Sequence, residues 1–334
     1  MRRLATTAHA LLALYRPLIV AATIVAVVVI PIGGSRLWIY NMLNVAIFAL
    51  PVIGLAVITG RAGQVSFAQT TFMAIGGYGI AIFTTRLGWN AWLGLFLSAL
   101  IAAAAAVVIG LPMLRLRGHY LAMGTFALAL GTTSFALAAT FLTGGSIGIS
   151  GVPALEIGSV SFFDQRNAYF LCWAFVALGL VVHALLYRSY VGRAWRAVAL
   201  REDVAASLGV NNQWFKVLAF TIAAVMASVA GSLYVSITSY VSPDLYDAGV
   251  GVNLFVMLFI GGRATLFGPV VGAAIVTLGP QVFSGIAEWQ NIIFLTILLV
   301  VILFLPNGLL GGGAPVPRLR QWLPTALPRK DVAA

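Results

Sequence analysis

Charged residues are scarce in this chain of 334 residues, where they make up 8% of the sequence, against roughly 25% in soluble domains. Hydrophobic residues make up 61%. So few charges exclude an ordinary soluble domain, because they could not cover its surface. The apolar residues recur in long runs, and about 20 such residues cross a bilayer as a helix. The composition therefore predicts a polytopic helical membrane protein.

Cysteine and histidine are also nearly absent. Cys172 is a single cysteine, so no intrachain disulfide is possible, and His9, His119 and His183 lie too far apart for Cys/His metal spacing. No Asp, Glu, Lys or Arg lies deep within an apolar segment, which leaves no paired carboxylates and no proton relay. We therefore expect no metal site, no catalytic residue and no enzymatic activity on this chain.

Hydropathy divides the chain into ten apolar segments. They are 17–32, 38–58, 66–85, 91–112, 119–142, 167–187, 217–240, 248–260, 270–286 and 289–305. Gly and Pro interrupt several of them, so 59–85 and 248–286 are expected to include re-entrant or discontinuous helices. Gly76, Gly77 and Gly79 are expected to allow close helix packing. The predicted fold is all-α, with about ten transmembrane or re-entrant helices in one domain, 1–311, and a basic tail, 312–334.

Basic residues predict the orientation of these segments. When the N-terminus is placed in the cytoplasm and sides alternate, 16 of the 19 basic residues fall inside. Only Arg36, Arg86 and Arg166 fall outside, which satisfies the positive-inside rule. Both termini are then cytoplasmic. The net charge of +11 follows from topology and anionic headgroups, so no nucleic-acid partner is predicted.

The stretch "YVGRAWRAVALREDVAASLGVNNQWFK", Tyr190–Lys216, is unusually charged for this chain. It occupies the longest internal cytoplasmic loop. Its apolar and basic residues recur at helical spacing, which predicts two short helices, Gly192–Arg201 and Val204–Leu208. Because the membrane segments contain no energy-coupling charges, any energy for uphill transport is expected to enter through this loop.

The second predicted helix has recognisable boundary residues. Asp203 is expected to cap its N-terminus, and Gly209 to take the left-handed conformation that ends it. Ala205 and Ala206 would give a small-residue surface that a partner could approach closely. The alternative interpretation is a solvated loop whose basic residues anchor it to headgroups.

Several stretches of the sequence resemble one transporter family. "GRAWRAVALREDVAASLGV" resembles the ATPase-docking loop of ABC importer permeases. Five further stretches resemble, in order, those of branched-chain amino acid permeases of the LivM type: "GRAGQVSFAQTTFMAIGGYGIA", "LPMLRLRGHYLAMGT", "LTGGSIGISGVP", "FIGGRATLFGPVVGAA" and "LFLPNGLLG". The resemblance covers about 60–311.

This resemblance implies the type II ABC importer permease fold in a bacterial inner membrane. The expected partners are a second, LivH-like permease subunit, two LivG/LivF-like ATPase subunits, a periplasmic substrate-binding protein and membrane lipid. ATP and Mg would bind to the ATPases, so no cofactor is expected on this chain. The implied substrates are branched-chain or related amino acids. Urea, amides or other small solutes, and a secondary carrier mechanism, are the alternatives.

Three groups of residues are candidates for function. The ATPase-coupling group comprises Gly192, Arg193, Arg196, Arg201, Glu202, Asp203, Ala205, Ala206 and Gly209. The uncharged polar residues that could line a translocation pathway are Gln64, Ser66, Gln69, Thr71, Asn44 and Asn253. Because Gln64, Ser66 and Gln69 lie near the start of a segment, their side chains could equally cap a helix. An external glycine-rich loop could meet the binding protein or be a plain turn, through Thr143, Gly144, Gly145 and Gly148.

Overall fold

The computed structural model describes residue 31 and residues 35–116, 118–158, 160–282 and 308–311. These residues are mainly helical. The α-helices are α1 (Arg36–Leu55), α2 (Gln69–Thr85), α3 (Ala91–Met113), α4 (His119–Ala138), α5 (Thr140–Thr143), α6 (Gln165–Arg188), α7 (Tyr190–Leu200), α8 (Glu202–Ser207), α9 (Asn212–Thr238), α10 (Ala248–Gly261) and α11 (Gly268–Val282).

Shorter elements complete the described fold. A π-helical turn, Ala56–Arg61, extends α1, and a 3-10 turn, Pro243–Tyr246, precedes α10. Four two-residue strands form two antiparallel pairs. Strand β1 (Ile149–Ser150) pairs with β4 (Tyr240–Val241), and β2 (Glu156–Ile157) pairs with β3 (Val160–Ser161).

The predicted apolar segments correspond closely to these helices. Segments 17–32, apart from residue 31, and 289–305 lie outside the described residues, as do both termini and the tail 312–334. Within the described part, six helices are long and apolar enough to cross a membrane. The chain is therefore a multi-pass helical protein, while the count of ten segments stays a prediction.

Two predicted interruptions are present. Residues 62–68 separate the π-helical turn from α2, and residues 262–267 separate α10 from α11. Helix α2 consequently begins at Gln69, three residues later than predicted. Irregular backbone of this kind is tolerated at membrane depth where protein surrounds it. Ala62, Ser66 and Ala68 are buried, which satisfies that condition.

Helix α1 lies at the centre of the described helices. It packs against α6, α9 and α11, and most of its side chains are buried, including Val45, Val52 and Ile53. One polar contact fixes its register: Asn41 and Gln281 of α11 exchange side-chain hydrogen bonds, with Gln281 Nε2 2.7 Å from Asn41 Oδ1. Such amide pairs hold helices together where water is absent.

Helices α2 and α9 touch backbone to backbone. A Cβ atom added at Gly76 would collide with the Ser228 carbonyl group, and one added at Gly231 would collide with that of Met73. The Ser232 hydroxyl donates a hydrogen bond to the Gly76 carbonyl oxygen across the same contact at 2.9 Å. The expectation that Gly76 serves helix packing is therefore confirmed.

One set of loops gathers at a single end of the helices. A Cβ atom at Gly60 would collide with the Arg263 carbonyl group, and Gln213 Nε2 donates to the Leu111 carbonyl oxygen at 3.1 Å. We call this the basic end, because its described residues include eight basic side chains. They are Arg61, Arg115, Arg188, Arg193, Arg196, Arg201, Lys216 and Arg263.

The remaining described loops meet at the opposite end. There Arg86 Nη1 donates to the Phe141 carbonyl oxygen at 2.5 Å, and Trp92 Nε1 donates to that of Glu156 at 2.8 Å. Strand β1 of one loop pairs with β4 of another. The structure thus separates the loops into the two groups that alternation along the sequence predicts.

The α2–α9 contact predicts sharply different effects of two glycine substitutions. Gly76→Leu should destabilise the protein by about 3 kcal/mol or more, since overpacking against backbone cannot relax by side-chain rotation. Gly131→Leu is the matched control, because Gly131 lies on exposed α4 with no neighbour near its Cβ position. The measurement is the thermal midpoint and the monodispersity of each detergent-purified variant. Equal midpoints would contradict this packing.

Candidate functional site

The charged stretch forms two helices at the basic end, with boundaries that differ from the prediction. Helix α7 begins two residues earlier than predicted, after Ser189, whose Oγ accepts a hydrogen bond from the Gly192 amide at 3.4 Å. Helix α8 also begins two residues earlier, because Arg201 is extended and its carbonyl oxygen accepts the first helical bond. The expected Asp203 cap is therefore wrong. Asp203 lies in the first turn, where the interaction of its carboxylate with the helix dipole stabilises the helix.

The predicted end of the second helix is confirmed. Gly209 has φ +81°, in the left-handed region that glycine adopts without strain. Its amide donates to the Ala206 carbonyl oxygen at 3.0 Å, and the Val210 amide donates to that of Ala205 at 3.0 Å. This pair of bonds is the Schellman motif, and it turns the chain back toward α9.

Three side-chain contacts fasten α7 and α8 to the start of α9. Trp195 Nε1 donates to the Phe215 carbonyl oxygen at 2.7 Å, and Asn212 Nδ2 donates to the Glu202 carbonyl oxygen at 2.7 Å. Lys216 Nζ lies 2.5 Å from a Glu202 carboxylate oxygen, with side chains 5% and 24% exposed respectively. Glu202, predicted to meet a partner, instead holds α8 in place.

The small residues of this loop face inward more than expected. Gly192 is buried against the end of α6, so closely that a Cβ atom added there would collide with the Leu186 carbonyl group. Ala205 is also buried, so the predicted Ala205–Ala206 surface is corrected: Ala206 alone of the pair is exposed. The face of α8 that carries Ala205 packs against the rest of the protein, and Ala206 lies on the exposed side.

The outward surface of α7 and α8 carries large apolar side chains as well as charged ones. Leu200, Val204 and Leu208 are 83%, 50% and 76% exposed, and we call these three residues the coupling ridge. Large apolar side chains grouped at a water-facing end indicate a protein interaction surface. Their helical spacing was visible in the sequence, but the side on which they project was not.

The arginines of α7 and its C-terminal end, Arg193, Arg196 and Arg201, are all exposed, but their contacts differ. The Arg196 guanidinium lies 5.2 Å from the centre of the Tyr187 ring, and Arg61 lies 3.9 Å from the same ring. Since Arg61 ends the π-helical turn after α1, this shared cation–π contact joins α7 to the central helix.

A cavity of ≈230 Å³ separates α7 and α8 from the irregular segment before α2. It is lined by Gly63, Gln64 and Val65 on one side and by α7 and the start of α8 on the other. Gln64 is held by a weak 3.4 Å bond from its Nε2 to the Ala62 carbonyl oxygen. The first pathway candidate therefore lies directly behind the coupling helices.

Three further pathway candidates follow Gln64 on α2 and the turn before it. Ser66 Oγ accepts from the Ala68 amide at 3.3 Å, which is a local cap. The Thr71 hydroxyl accepts from Thr132 of α4 at 2.9 Å. With Thr125 of α4, whose hydroxyl accepts from the Phe67 amide, these residues form a neutral polar strip between α2 and α4.

Two polar atoms on the first turn of α2 stand out. Gln69 Oε1 and Thr70 Oγ1 are buried and have no hydrogen-bond partner within the described part of the chain. A buried polar group without a partner costs about 1–3 kcal/mol. Water or a polar solute beside this turn would remove that cost, which favours Gln69 as a pathway candidate and adds Thr70 to the candidates.

Phenylalanines form an apolar wall beside the strip. The Phe67 ring lies 5.8 Å from Phe126 of α4 and 4.8 Å from Phe255 of α10, and Phe255 lies 4.9 Å from Phe259. The sequence analysis missed this cluster, because its members come from three separate elements and share no local pattern.

The other two pathway candidates lie on other helices. Asn44 is on α1 and donates from Nδ2 to the Tyr40 carbonyl oxygen at 3.1 Å. Asn253 is exposed on α10. Gln64, Ser66, Gln69 and Thr71 thus share one continuous stretch at the start of α2, whereas the two asparagines do not belong to it.

At the opposite end, two of the predicted binding-protein residues shape their own loop. Thr143 is buried, and its hydroxyl donates to the Ala136 carbonyl oxygen and accepts from the Gly145 amide at 3.2 Å. Gly148 has φ +74°, and a Cβ there would collide with the Val241 carbonyl group beside β4. Thr143 and Gly145 are buried, which favours the plain turn over contact with the binding protein for these two residues.

Different residues present this loop to solvent. Gly144 is half-buried against Gly148, whereas Ser146 and Ile147 between them are exposed. Phe141 and Phe163 are also exposed at this end. No single local motif marked these apolar residues in the sequence.

Comparison with known proteins decides the family. The profile of the branched-chain amino acid transport system permease component matches residues 38–306. This chain belongs to that permease family. The LivM permease protein of the high-affinity branched-chain amino acid transport system of Escherichia coli K12 is 28% identical over 82% of this chain and 70% of its own length. No solved structure matches.

Two further relatives come from systems of the same description. The BraD permease protein of Pseudomonas aeruginosa PAO1 is 27% identical over 79% of this chain and 91% of its own length. The LivH permease protein of Escherichia coli K12 is 26% identical, with the same coverages of 79% and 91%. This permease is thus a transport subunit and not an enzyme.

The Glu202–Lys216 pair predicts how α8 is held. Glu202→Gln leaves the buried Lys216 ammonium without its counter-charge and should free α8 from α9 by about 1–3 kcal/mol. Amide hydrogen exchange in α8 should then rise by about 5- to 150-fold, as measured by mass spectrometry on the purified permease. Asp203→Asn is the control, since Asp203 is exposed in the same turn. Equal exchange in both variants would show that the pair does not hold α8.

Proposed function

We propose that this permease is one of two transmembrane subunits of an ATP-driven ABC importer for branched-chain or related amino acids. The family match over residues 38–306 carries the proposal, because relatives of that family are named as permeases for branched-chain amino acids. The coupling ridge supports the ATP-driven part of it, since it offers a docking surface at the basic end.

In this proposal the coupling ridge fits a groove on an ATPase subunit. Leu200, Val204 and Leu208 would enter the groove, Ala206 would allow close approach, and exposed Arg196 and Arg201 would meet its rim. ATP and Mg would act on the ATPases. Because α8 is fastened to α9 by Lys216 and α7 touches Arg61 through Tyr187, ATPase movement would reach both the pathway helices and α1.

The translocation pathway would follow the neutral polar strip. At the start of α2, Gln69 and Thr70 would offer polar atoms that have no partner among the described residues, and Gln64 would lie at the cytoplasmic mouth. A charge held at this depth without a partner costs at least about 2.5–3.5 kcal/mol. A neutral strip therefore suits passage of a zwitterion better than tight retention. We infer that substrate choice is made mainly by the binding protein.

The remaining partners would occupy two other surfaces. A LivH-like second permease would complete the pathway beside the Phe67 and Phe255 wall. A periplasmic binding protein would dock at the opposite end, where Ile147 and Phe163 are exposed. The basic end would then face the cytoplasm of a bacterial inner membrane, in line with the positive-inside rule.

Charge placed on the coupling ridge tests the proposal. Leu200→Asp and Leu208→Asp should leave the permease folded, because both side chains are exposed, but should remove the ATPases during co-purification. ATP-dependent uptake of leucine should fall with them, since burying an unpaired carboxylate in an apolar groove opposes docking. Leu87→Asp is the matched control, an exposed leucine at the opposite end.

The uptake assay also separates the alternatives. Uptake that survives loss of the ATPases but stops with an uncoupler would identify a secondary carrier. ATPase-dependent uptake of urea or amides without leucine would retain the importer mechanism and change the substrate. Normal ATPase retention in both ridge variants would make α7 and α8 a solvated connector.

Cysteine labelling tests the orientation. Ser146 and Ser207 are exposed at opposite ends, and the native Cys172 is buried, so background labelling should be low. In intact cells that express the permease alone, a membrane-impermeant maleimide that reaches the periplasm should label Ser146→Cys and not Ser207→Cys. Permeabilised cells are the control, in which both should react. The reverse pattern would invert the proposed topology.

A further inference from the structure

An apolar groove runs along the outside of the described helices between α6 and α9. It has a volume of ≈310 Å³, and Leu50 of the central helix α1 forms its floor. Phe175 and Val182 of α6 form one wall, and Val225 and Val229 of α9 form the other. The groove is deep because α6 and α9 both pack on α1 and hardly touch each other.

Among the described residues, the lining of the groove is almost entirely apolar. Thr221 is the one polar residue in this described lining, and its hydroxyl donates to the Val217 carbonyl oxygen of its own helix at 2.9 Å. Gly179 of α6 also lines the groove and contributes no side chain. Only hydrocarbon is matched by such walls, since a polar group there would lose its partners.

The apolar stripe of α9 continues from the groove toward the basic end. Most of α9 is buried, and one helical face carries a row of more accessible apolar residues: Trp214 is exposed, and Leu218, Ile222, Val225 and Val229 are half-buried. On α6 the groove face continues to Leu186, four residues beyond Val182, and the chain then enters α7 at Tyr190. The groove therefore opens toward the basic end, where the chain leaves the apolar segments.

Aromatic and basic residues mark this opening. The Tyr190 and Phe215 rings lie 6.1 Å apart, at the starts of α7 and α9. Trp214 and Tyr190 are exposed, as aromatic residues at headgroup level commonly are. The Arg193 guanidinium lies 5.9 Å from the Tyr190 ring and is exposed. The nearby carboxylate of Glu202 is already engaged by Lys216.

We propose that this groove binds one acyl chain of an anionic phospholipid, with its phosphate held by Arg193. The groove supplies hydrocarbon contact, the tyrosine and tryptophan lie at the interface, and the arginine supplies the opposite charge. Basic pockets between transmembrane helices on the cytoplasmic side are known to suit anionic headgroups. Because Arg193 belongs to α7, the lipid would tie the coupling helices to the bilayer. The proposal requires only that the chain is a membrane permease.

The experiment measures lipid bound to the purified full-length permease. Protein is delipidated in detergent, mixed with phosphatidylglycerol or phosphatidylcholine, and examined by native mass spectrometry. Wild-type permease should retain one phosphatidylglycerol in preference to phosphatidylcholine. Arg193→Glu should weaken phosphatidylglycerol binding by at least about fivefold, as expected for loss of one basic contact. Val225→Trp should remove the bound lipid of either class by filling the groove.

Two matched controls make the outcome decisive. Arg201→Glu makes the same charge change at the far end of α7, and Val181→Trp makes a similar size change on another exposed face of α6. Both should retain phosphatidylglycerol. Equal retention of the two lipids by the wild type, or equal loss in variants and controls, would overturn the proposal. So would a crosslink from Val225→Cys to another subunit in the assembled complex, because that groove would be a protein contact.

Discussion

The backbone contact between α2 and α9 is the interaction on which the functional parts of this permease depend. Gly76 and Gly231 let the two helices approach until each meets a carbonyl group of the other. Helix α2 begins with Gln69 and Thr70. Helix α9 begins with the residues that hold α7 and α8. One close contact therefore connects the start of α2, on the proposed pathway, to the proposed coupling helices α7 and α8.

The two interruptions of the membrane helices follow from the same packing. Residues 62–68 leave helical geometry, and the surrounding helices bury Ala62, Ser66 and Ala68. A hydroxyl of α4 also accepts the Phe67 amide, which has no helical partner. Lipid could not satisfy that amide, since the bilayer core offers no hydrogen bond. Irregular backbone thus occurs where it can face a cavity, and the cavity beside Gln64 lies there.

Local sequence patterns were enough to predict where the membrane helices lie and which residue ends α8. Apolar runs such as 91–112 and 167–187 became α3 and α6 with ends within two residues, because hydropathy responds directly to the membrane. Gly209 was also foreseeable, since few other residues take its backbone conformation without strain. The predicted Asp203 cap was wrong because α8 starts two residues earlier, after Arg201. The extended backbone of Arg201 decided where the helix starts, whereas the capping chemistry of the Asp203 side chain did not.

The sequence by itself determined that this chain spans a membrane, which loops lie at the same end, and which transporter family it belongs to. Those properties depend on composition, on the alternation of loops between the two sides and on the order of short motifs, all of which can be found along the chain without knowing its folded contacts. Only the tertiary structure decided which loop residues face outward. It turned Ala205 inward and Leu200 outward, and it used Glu202 to hold Lys216. Such choices depend on which residues, distant along the chain, each side chain meets after folding, and local sequence patterns do not reveal those contacts.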